Sequence, residues 1–499
     1  MNTLSRVGFA GLLLGLAAGP IHAQTNGFEL QCMSARAAGR GCVTRAQPDL
    51  PTSLFRDPAG IAVFTRPVLE VNAAPFMPTL TFQNAVNART EGARHAYPLF
   101  SAAYVGRPIG ERLHWAVGLE PIGGFGSDFR LQNALLSGAS GTPVDYKSFF
   151  MAVKVGPTLA YEVLPGLSVG ASVSGVYAQI REFQMPFTMA PSFAQGMAAI
   201  PQLDPAVYGP LFQQFTEMTA YGDSKGFAGL TWAADAGAAY HAPSGWAVAA
   251  SWSPKRTIRL DGGTASIDMS AQFQQMLGAM VAARAAAYNE TLQVAQGVVM
   301  GQLAAAGLDL TEGMSAVYAA STDLTLPMTI GAGLHAPVRS WWALSAEVEW
   351  RQWSRAEATM PFRLTGGDNT NLNLLVNGSP TNGSFAYPFP LNWKDTWSWK
   401  VGSEFTVPGG YVLRAGFLSG ADPVPANTVF IAFPAIATRA VTLGVGTQIL
   451  GFPLDIAYVH ALSQELEGNS VHSLMGAEYV GSRTTMRQDV LTLGTTFHF

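Results

Sequence analysis

VLTLGTTFHF, residues 490–499, are the last ten residues of a 499-residue chain. Side chains of an extended chain alternate between two faces. Leu491, Leu493 and Phe497 therefore share one face with Phe499, and small or polar residues occupy the other. An apolar terminal strand is stable when it pairs with the first strand and faces lipid, because closure leaves no exposed edge. The stretch predicts the closing strand of a membrane barrel.

The composition is apolar and poor in charge. Hydrophobic residues account for 48% of the chain and charged residues for 12%, with a formal net charge of -4. So few charges are unusual for a soluble protein and favour contact with lipid. The sequence has no run of Lys and Arg that would bind nucleic acid, so this class of partner is excluded.

Residues 1–23 have the layout of a secretory signal peptide. Arg6 precedes an apolar core from Val7 to Ala18, and small residues lead to Ala23. We predict export with cleavage after Ala23. The core is shorter than the roughly 20 residues of a membrane anchor, and no later stretch offers about 18 uninterrupted apolar residues. The mature chain is therefore expected to have no membrane-spanning helix.

Period-two alternation recurs through the mature chain. Trp397, Trp399 and Val401, for example, alternate with Ser398 and Lys400. Each such segment is typical of a strand with one apolar face. The alternation predicts fourteen strands, near residues 63–72, 97–105, 112–124, 148–163, 167–180, 226–241, 245–261, 322–336, 341–355, 394–407, 410–418, 437–449, 453–461 and 488–499.

The connectors between these predicted strands alternate between long and short. Residues 181–225 and 262–321 are long connectors, and residues 242–244 between them are a short one. Antiparallel strands that cross a membrane show this alternation, because turns at one end are tight and loops at the other end are large. We predict an all-β fold, a 14-stranded antiparallel transmembrane β-barrel over residues 62–499. Phe499 fits the C-terminal signature of outer-membrane barrels.

The lumen of the predicted barrel must be occupied by more than the side chains of the wall or remain an open pore. Fourteen strands enclose a lumen too wide for the side chains of the wall alone. Polar residues at alternate strand positions are expected to face this lumen, namely Glu347, Glu349, Arg351, Lys400 and Glu404. Residues 24–61 are rich in Gly, Ala and Arg and too irregular for barrel strands. We predict that they form an N-terminal plug in the lumen, the hatch.

The two cysteines, Cys32 and Cys42, both lie in the predicted hatch. In an oxidising compartment they would form a disulfide that closes a short loop and contributes roughly 2 to 3 kcal/mol. Two buried thiols are the alternative. Metal binding has the least support, because the segment holds no His and no further Cys.

The mature chain contains, in order, the stretches NGFEL, SARAAGRG, LPTSLFRDPAGIA, VGLEPIGGFG, VSGVYAQIREF, DLTLPMTIGAGLHAP, LSAEVEWRQWS, NWKDTWSWKVGSEF and LRAGFLSGADPVP. Together they resemble the outer-membrane long-chain fatty-acid and aromatic hydrocarbon transporter family (FadL/TodX-like). The resemblance implies a barrel with an N-terminal hatch that captures hydrophobic molecules from outside and releases them sideways into the membrane.

The resemblance includes a hatch motif at Asp57, Pro58 and Ala59. Asp57 stands where the family usually has Asn. The residues themselves predict a tight turn. The functional interpretation is that the hatch must shift to connect the ligand pocket with the wall opening, so that a defined turn beside the opening matters.

A wall opening is predicted at Pro121, Gly123 and Gly124. Pro cannot donate a hydrogen bond to a strand ladder, and glycines loosen it. A gap or kink in the third strand would follow. The alternative is that Pro121 sits at the outer end of the strand without consequence, and the family resemblance favours the opening.

The two long connectors 181–225 and 262–321 are too apolar for ordinary loops, and the second has near-helical spacing. Exposed apolar patches of this kind mark binding surfaces, and the resemblance implies a capture groove for hydrophobic ligands. The candidate residues are Phe183, Phe187, Phe193, Phe212, Phe215, Leu277 and Met280. The alternative is that these helical loops merely pack on each other.

For an anionic headgroup, the resemblance implies Arg181 and Lys394, near the outer ends of the fifth and tenth strands. A cation in a dry pocket would fix a carboxylate. The alternative is that Arg181 pairs with Glu182, and Lys394 with Asp395, as charges on the rim.

The favoured function is uptake of hydrophobic small molecules, foremost long-chain fatty acids and alternatively monoaromatic hydrocarbons. A surface adhesin or receptor is the alternative from another class. Catalysis has little support, because the sequence lacks a Gly-x-Ser-x-Gly elbow and a His-Glu-x-x-His motif. We expect a multi-pass monomer in the outer membrane of a Gram-negative bacterium, in contact with lipid and without cofactor or metal.

Overall fold

The computed structural model describes residues 25–189, 200–214, 218–433, 439–449 and 451–499. In this part of the chain, fourteen strands pair antiparallel with their neighbours and the last pairs with the first. The predicted fold class, a closed 14-stranded antiparallel barrel, is confirmed. The predicted signal peptide, residues 1–23, lies outside the described residues.

The wall strands are numbered here in chain order. They are β1 (Val68–Gln83), β2 (Tyr97–Val105), β3 (Leu113–Leu131), β4 (Val144–Leu164), β5 (Leu167–Met189), β6 (Met218–His241), β7 (Ala247–Ser253 and Arg256–Asp268), β8 (Ser315–Leu326 and Met328–Arg339), β9 (Trp342–Gln352 and Thr359–Thr365), β10 (Phe385–Pro390 and Thr396–Val407), β11 (Tyr411–Gly420), β12 (Arg439–Ile449), β13 (Phe452–Glu467) and β14 (Arg483–His498). Short two-residue strands occur at Thr25–Asn26, Glu29–Leu30 and Thr90–Glu91.

Helices occur inside the barrel and in the long loops. They are α1 (Ala35–Gly39), α2 (Pro205–Phe212), α3 (Ser270–Tyr288), α4 (Leu292–Ala305) and α5 (Thr370–Asn377), with 3-10 turns at Pro51–Phe55, Gly60–Val63, Trp353–Arg355 and Ala477–Tyr479. None of the helices in the described residues is long and apolar enough to cross a membrane.

Closure of the barrel joins β14 to β1 in register from His498 opposite Val68 to Arg483 opposite Gln83. The N–H of Phe499 donates to the carbonyl of Pro67 at 3.0 Å. The apolar face of the last strand points outward, as its alternation predicts, because lipid can cover it there.

The barrel wall separates apolar outer positions from polar inner ones. Trp397 and Trp399 are 55% and 60% exposed on the outer surface, whereas Ser398 and Lys400 between and beside them are buried inside. This alternation is the signature of a strand between lipid and a protein-filled lumen.

The first wall strand begins later than its predicted start at residue 63. Residues 60–63 form a 3-10 turn, and β1 begins at Val68, just after Pro67. The segment before the wall therefore runs to Pro67 rather than to Ile61. Strands β5 and β6 also extend further at their outer ends than predicted. The connector predicted at 181–225 is therefore shorter and covers residues 190–217.

Residues 25–67, called the N-terminal segment below, lie inside the barrel. The N–H of Ala35 donates to Asn72 Oδ1 at 2.9 Å, and that of Gly41 donates to Thr442 Oγ1 at 2.9 Å. Cys32 and Cys42 of this segment are joined in a disulfide and are buried. The segment therefore bonds directly to inward-facing side chains of the wall.

A buried ionic network ties the N-terminal segment to β9 and β10. Arg45 Nη1 lies 2.8 Å from Glu347 Oε1 and 2.7 Å from Glu349 Oε2. Lys400 Nζ lies 2.7 Å from Glu347 Oε1, and Arg351 Nε lies 2.7 Å from Glu29 Oε2. All of these charged side chains except the partly exposed Glu29 are buried, so each depends on its partners for stabilisation.

The fifth residue predicted to face the lumen, Glu404, bonds to two arginines. Its carboxylate lies 3.4 Å from Arg40 of the N-terminal segment and 2.7 Å from Arg414 of β11. All five predicted lumen-facing residues therefore point into the barrel.

Lys400→Met is expected to lower the free energy of unfolding by about 3 kcal/mol, because it leaves two buried glutamates short of a cation. Urea unfolding of the protein in lipid vesicles, followed by tryptophan fluorescence, measures the loss. Arg259→Gln is the matched control, since Arg259 bonds to Asp261 with both side chains more than half exposed. This control should change the value by less than about 1 kcal/mol. Equal effects of the two substitutions would contradict a stabilising network.

Candidate functional site

The wall is incomplete between β2 and β3. Among the described residues, the ladder joining them covers only residues 102–105 opposite residues 116–119. The next stretch of β3, residues 120–127, has no ladder to β2 and is called the wall gap below. The other edge of β3 pairs with β4 throughout, with a register shift between Pro121 and Gly123. Ile122 is therefore an extra residue, a β-bulge.

The N-terminal segment takes the place of β2 at the wall gap. Glu29 pairs with Gly123, and the N–H of Gly124 donates to the carbonyl of Phe28 at 2.9 Å. A Cβ on residue 123 would lie 3.0 Å from the Phe28 carbonyl oxygen, so glycine permits this close approach. The three residues predicted to form an opening, Pro121, Gly123 and Gly124, thus lie together at the bulge.

The turn predicted at the hatch motif packs on β5 and β6. The carboxylate of Asp57 accepts hydrogen bonds from the N–H groups of Ala46, at 2.8 Å, and Gly60, at 3.1 Å. Ser168 of β5 donates to the carbonyl of Ala59 at 3.0 Å. Burial raises the pKa of Asp57 to about 6, although these two N–H groups favour the charged form.

An apolar pocket of about 450 Å³ lies between the outer parts of β5, β6, β7, β9 and β10. Its wall is built from aromatic and aliphatic side chains, and the rings of Phe183 and Phe362 lie 5.8 Å apart. The lining residues are Phe183, Met185, Phe187, Gly222, Ser224, Ala265, Ile267, Phe362, Leu364, Phe385, Tyr387 and Phe389. Its aromatic and aliphatic lining suits a hydrophobic ligand.

A second cavity, the outer cavity, encloses about 640 Å³ nearer the ends of the strands. Loop residues around Asn84, Asn133 and Gly476 contribute to its wall. Phe187 lines both this cavity and the apolar pocket. The two cavities therefore adjoin at Phe187.

Of the five predicted capture residues that the structure describes, two line these cavities. Phe183 and Phe187 line the apolar pocket, whereas Phe212 and Met280 are buried in contacts of the loop helices and Leu277 packs against them. For these three residues, the alternative that the helical loops pack on each other describes the structure. Phe193 and Phe215 lie outside the described residues.

The dry cationic pocket predicted from Arg181 and Lys394 is not formed. Both side chains are exposed, and neither lines the apolar pocket or the outer cavity. The guanidinium of Arg181 stacks over the ring of Phe149 at 4.4 Å. Arg181 lies four positions after Tyr177 on β5 and therefore on the same outward face, so its exposure follows from strand geometry.

A polar chamber of about 470 Å³ lies inside the barrel beside the bulge, and Ile122 lines it. The ionisable residues around it are Glu29, Arg45, Arg56, Glu120, Lys154, Asp235, Arg256, Glu349 and Arg351. Lys154 pairs with Asp235, which also accepts from Arg256 at 3.4 Å. The sequence does not predict this chamber, although Lys154 and Asp235 occupy inward positions of otherwise small or apolar strands.

A family model described as "Outer membrane protein transport protein (OMPP1/FadL/TodX)" matches residues 16–499. The crystal structure of a Pseudomonas aeruginosa FadL homologue is similar, with a TM-score of 0.65 and 17% identity over 96% of this chain and 100% of that chain. No curated protein sequence matches the chain significantly.

Two toluene transporters also resemble this chain in structure. TodX of Pseudomonas putida has a TM-score of 0.66 and 13% identity, over 95% of this chain and 100% of its own. TbuX of Ralstonia pickettii has a TM-score of 0.60 and 15% identity, over 94% of this chain and 99% of its own. At such low sequence identity, the structural similarity shows a shared fold and nothing further.

The titration of Asp57 predicts a pH dependence of stability. The folded pKa of about 6 exceeds the ordinary value of 3.8, so this group stabilises the fold fully below about pH 4 and loses that contribution as the pH rises through 6. The loss amounts to about 3 kcal/mol. Asp57→Asn should remove this part of the pH dependence, measured as the urea unfolding midpoint from pH 4 to 7. The exposed control Asp261→Asn should retain this pH dependence. An Asp57→Asn variant whose unfolding midpoint changes with pH as in the unaltered protein would contradict the role of Asp57.

Proposed function

Because the chain belongs to the OMPP1/FadL/TodX family of outer membrane transport proteins, we propose that it captures long-chain fatty acids in its outer loops and releases them sideways through the wall gap. The protein would act as a monomer in the outer membrane of a Gram-negative bacterium, since every part of the proposed route lies within one chain. Monoaromatic hydrocarbons remain the alternative cargo, because the resemblance to the FadL homologue and to the toluene transporters is equally remote.

The observation that carries the proposal is a continuous line of aromatic contacts from the apolar pocket to the wall gap. The ring of Phe389 in the pocket lies 4.9 Å from that of Phe430, which lies 6.1 Å from Phe433. Phe433 lies 5.8 Å from Phe28 and 3.9 Å from Phe125 of the wall gap. An apolar chain that displaced these rings would remain out of water along the whole line.

A dry sideways route suits hydrophobic cargo. Each methylene group gains about 0.8 kcal/mol when it leaves water. An aqueous channel would therefore hold an acyl chain poorly, whereas the bilayer beside the wall accepts it. At the wall gap only the backbone of Phe28 and Glu29 replaces the missing strand, so a shift of the N-terminal segment would connect the interior with lipid.

Removing the bulge tests the route. Deletion of Ile122 together with Pro121→Val should restore a regular third strand that can pair with β2 and close the wall gap. Uptake of radiolabelled oleate by cells that lack other fatty-acid transporters should then fall more than tenfold, because release is blocked. Binding of oleate to the purified variant should persist, because the apolar pocket is untouched.

A matched control is available in the wall itself. The pairing of β13 with β14 has a similar register shift between Ala461 and Gln464, away from the wall gap, and the ladder of β13 to β12 ends at Ala461. Deletion of Ser463 removes that irregularity without disturbing the other edge of β13 and should leave uptake unchanged. If the repaired third strand transports oleate as well as the unaltered protein does, sideways release at this place is refuted.

A further inference from the structure

We propose that the polar chamber binds the anionic group of an amphipathic cargo, so that the molecule carried is a carboxylate rather than a neutral hydrocarbon. The inference rests on the proposed function, since it concerns the same route. It assigns the headgroup site to Arg56, Arg256 and Arg351, in place of the exposed Arg181 and Lys394.

The chamber is lined mainly by charged side chains. Five of them are cationic and four are anionic, and the cation Arg45 bonds to Glu347 behind the lining as well as to Glu349. A bound carboxylate would supply a further acceptor for the guanidinium groups, whereas toluene or another hydrocarbon would supply none.

Three arginines of the chamber each have one nitrogen without a hydrogen-bond acceptor. Among the described residues, Nε of Arg56, Nε of Arg256 and Nη1 of Arg351 are buried and have no acceptor. Arg351 is only 2% exposed. Buried polar groups are nearly always satisfied, so unsatisfied donors around one cavity point to an absent acceptor. Guanidinium groups bind carboxylates through short charge-assisted hydrogen bonds.

The chamber is connected to the backbone that covers the wall gap. Arg351 Nε holds the carboxylate of Glu29 at 2.7 Å, and the backbone of Glu29 pairs with Gly123. A carboxylate that reaches Arg351 therefore competes with Glu29. Binding of cargo would weaken the attachment of the N-terminal segment at the place where cargo must leave.

Glu120 limits the affinity of the chamber for anions. Its Oε1 lies 3.8 Å from Nε of Arg56, and both side chains line the chamber. Removing the carboxylate of Glu120 should free Arg56 for an incoming anion. Removing the guanidinium of Arg56 should have the opposite effect.

The test compares oleate with oleyl alcohol, which has the same chain without the charge, in binding to the purified protein in a non-ionic detergent. Arg56→Gln should weaken binding of oleate about tenfold, the size expected for a charge-assisted hydrogen bond. Glu120→Gln should strengthen it, and neither substitution should alter binding of oleyl alcohol. Arg259→Gln, on the outer surface, serves as the control with an unchanged affinity for both.

The outcomes separate this inference from the proposed function. If both ligands bind equally and both chamber variants leave oleate unaffected, the headgroup site is refuted while the route through the wall gap stands. If neither ligand binds the unaltered protein, the proposed function fails. Should Arg56→Gln not fold, Glu120→Gln still decides, because unchanged binding of oleate to a folded Glu120→Gln variant would overturn the inference.

Discussion

The structure depends on one constraint: backbone N–H and C=O groups at the depth of the membrane must find partners within the protein, because lipid offers none. Pairing of β14 with β1 meets this constraint around the circumference. Beside the bulge it is met differently, since Gly124 donates to the carbonyl of Phe28. The N-terminal segment therefore fills the lumen and also replaces the absent neighbouring strand at the wall gap. Its position decides whether the backbone groups of β3 in the wall gap have hydrogen-bond partners.

The same segment is held by charges that a lipid-facing surface could not carry. Arg45, Glu347 and Lys400 are buried together, and each is stable only with its partners in place. Such a network confers a defined position on an irregular segment.

Period-two alternation locates the wall strands because lipid outside and protein inside impose opposite demands on neighbouring residues. β2 is predicted over residues 97–105 and observed at Tyr97–Val105. Prediction fails at the outer strand ends, such as that of β5, where water replaces lipid and the inner face becomes apolar around Phe183. The bulge is visible in the sequence because Pro121 and its glycines act locally. The exposure of Arg181 is not foreseen from the sequence, because family resemblance conveys a residue type and not the direction of its side chain.

The polar chamber was beyond sequence reasoning for a different reason: Arg56, Lys154 and Arg256 are brought together only by closure of the barrel. Its relation to the aromatic line is set by two adjacent residues. Phe28 packs with Phe433 on the apolar side, whereas Glu29 bonds to Arg351 on the charged side. The two consecutive residues Phe28 and Glu29 thus mark the boundary between an apolar compartment and a polar one. A molecule with an acyl chain and a carboxylate would match both compartments at once, and a molecule with only one of these parts would not.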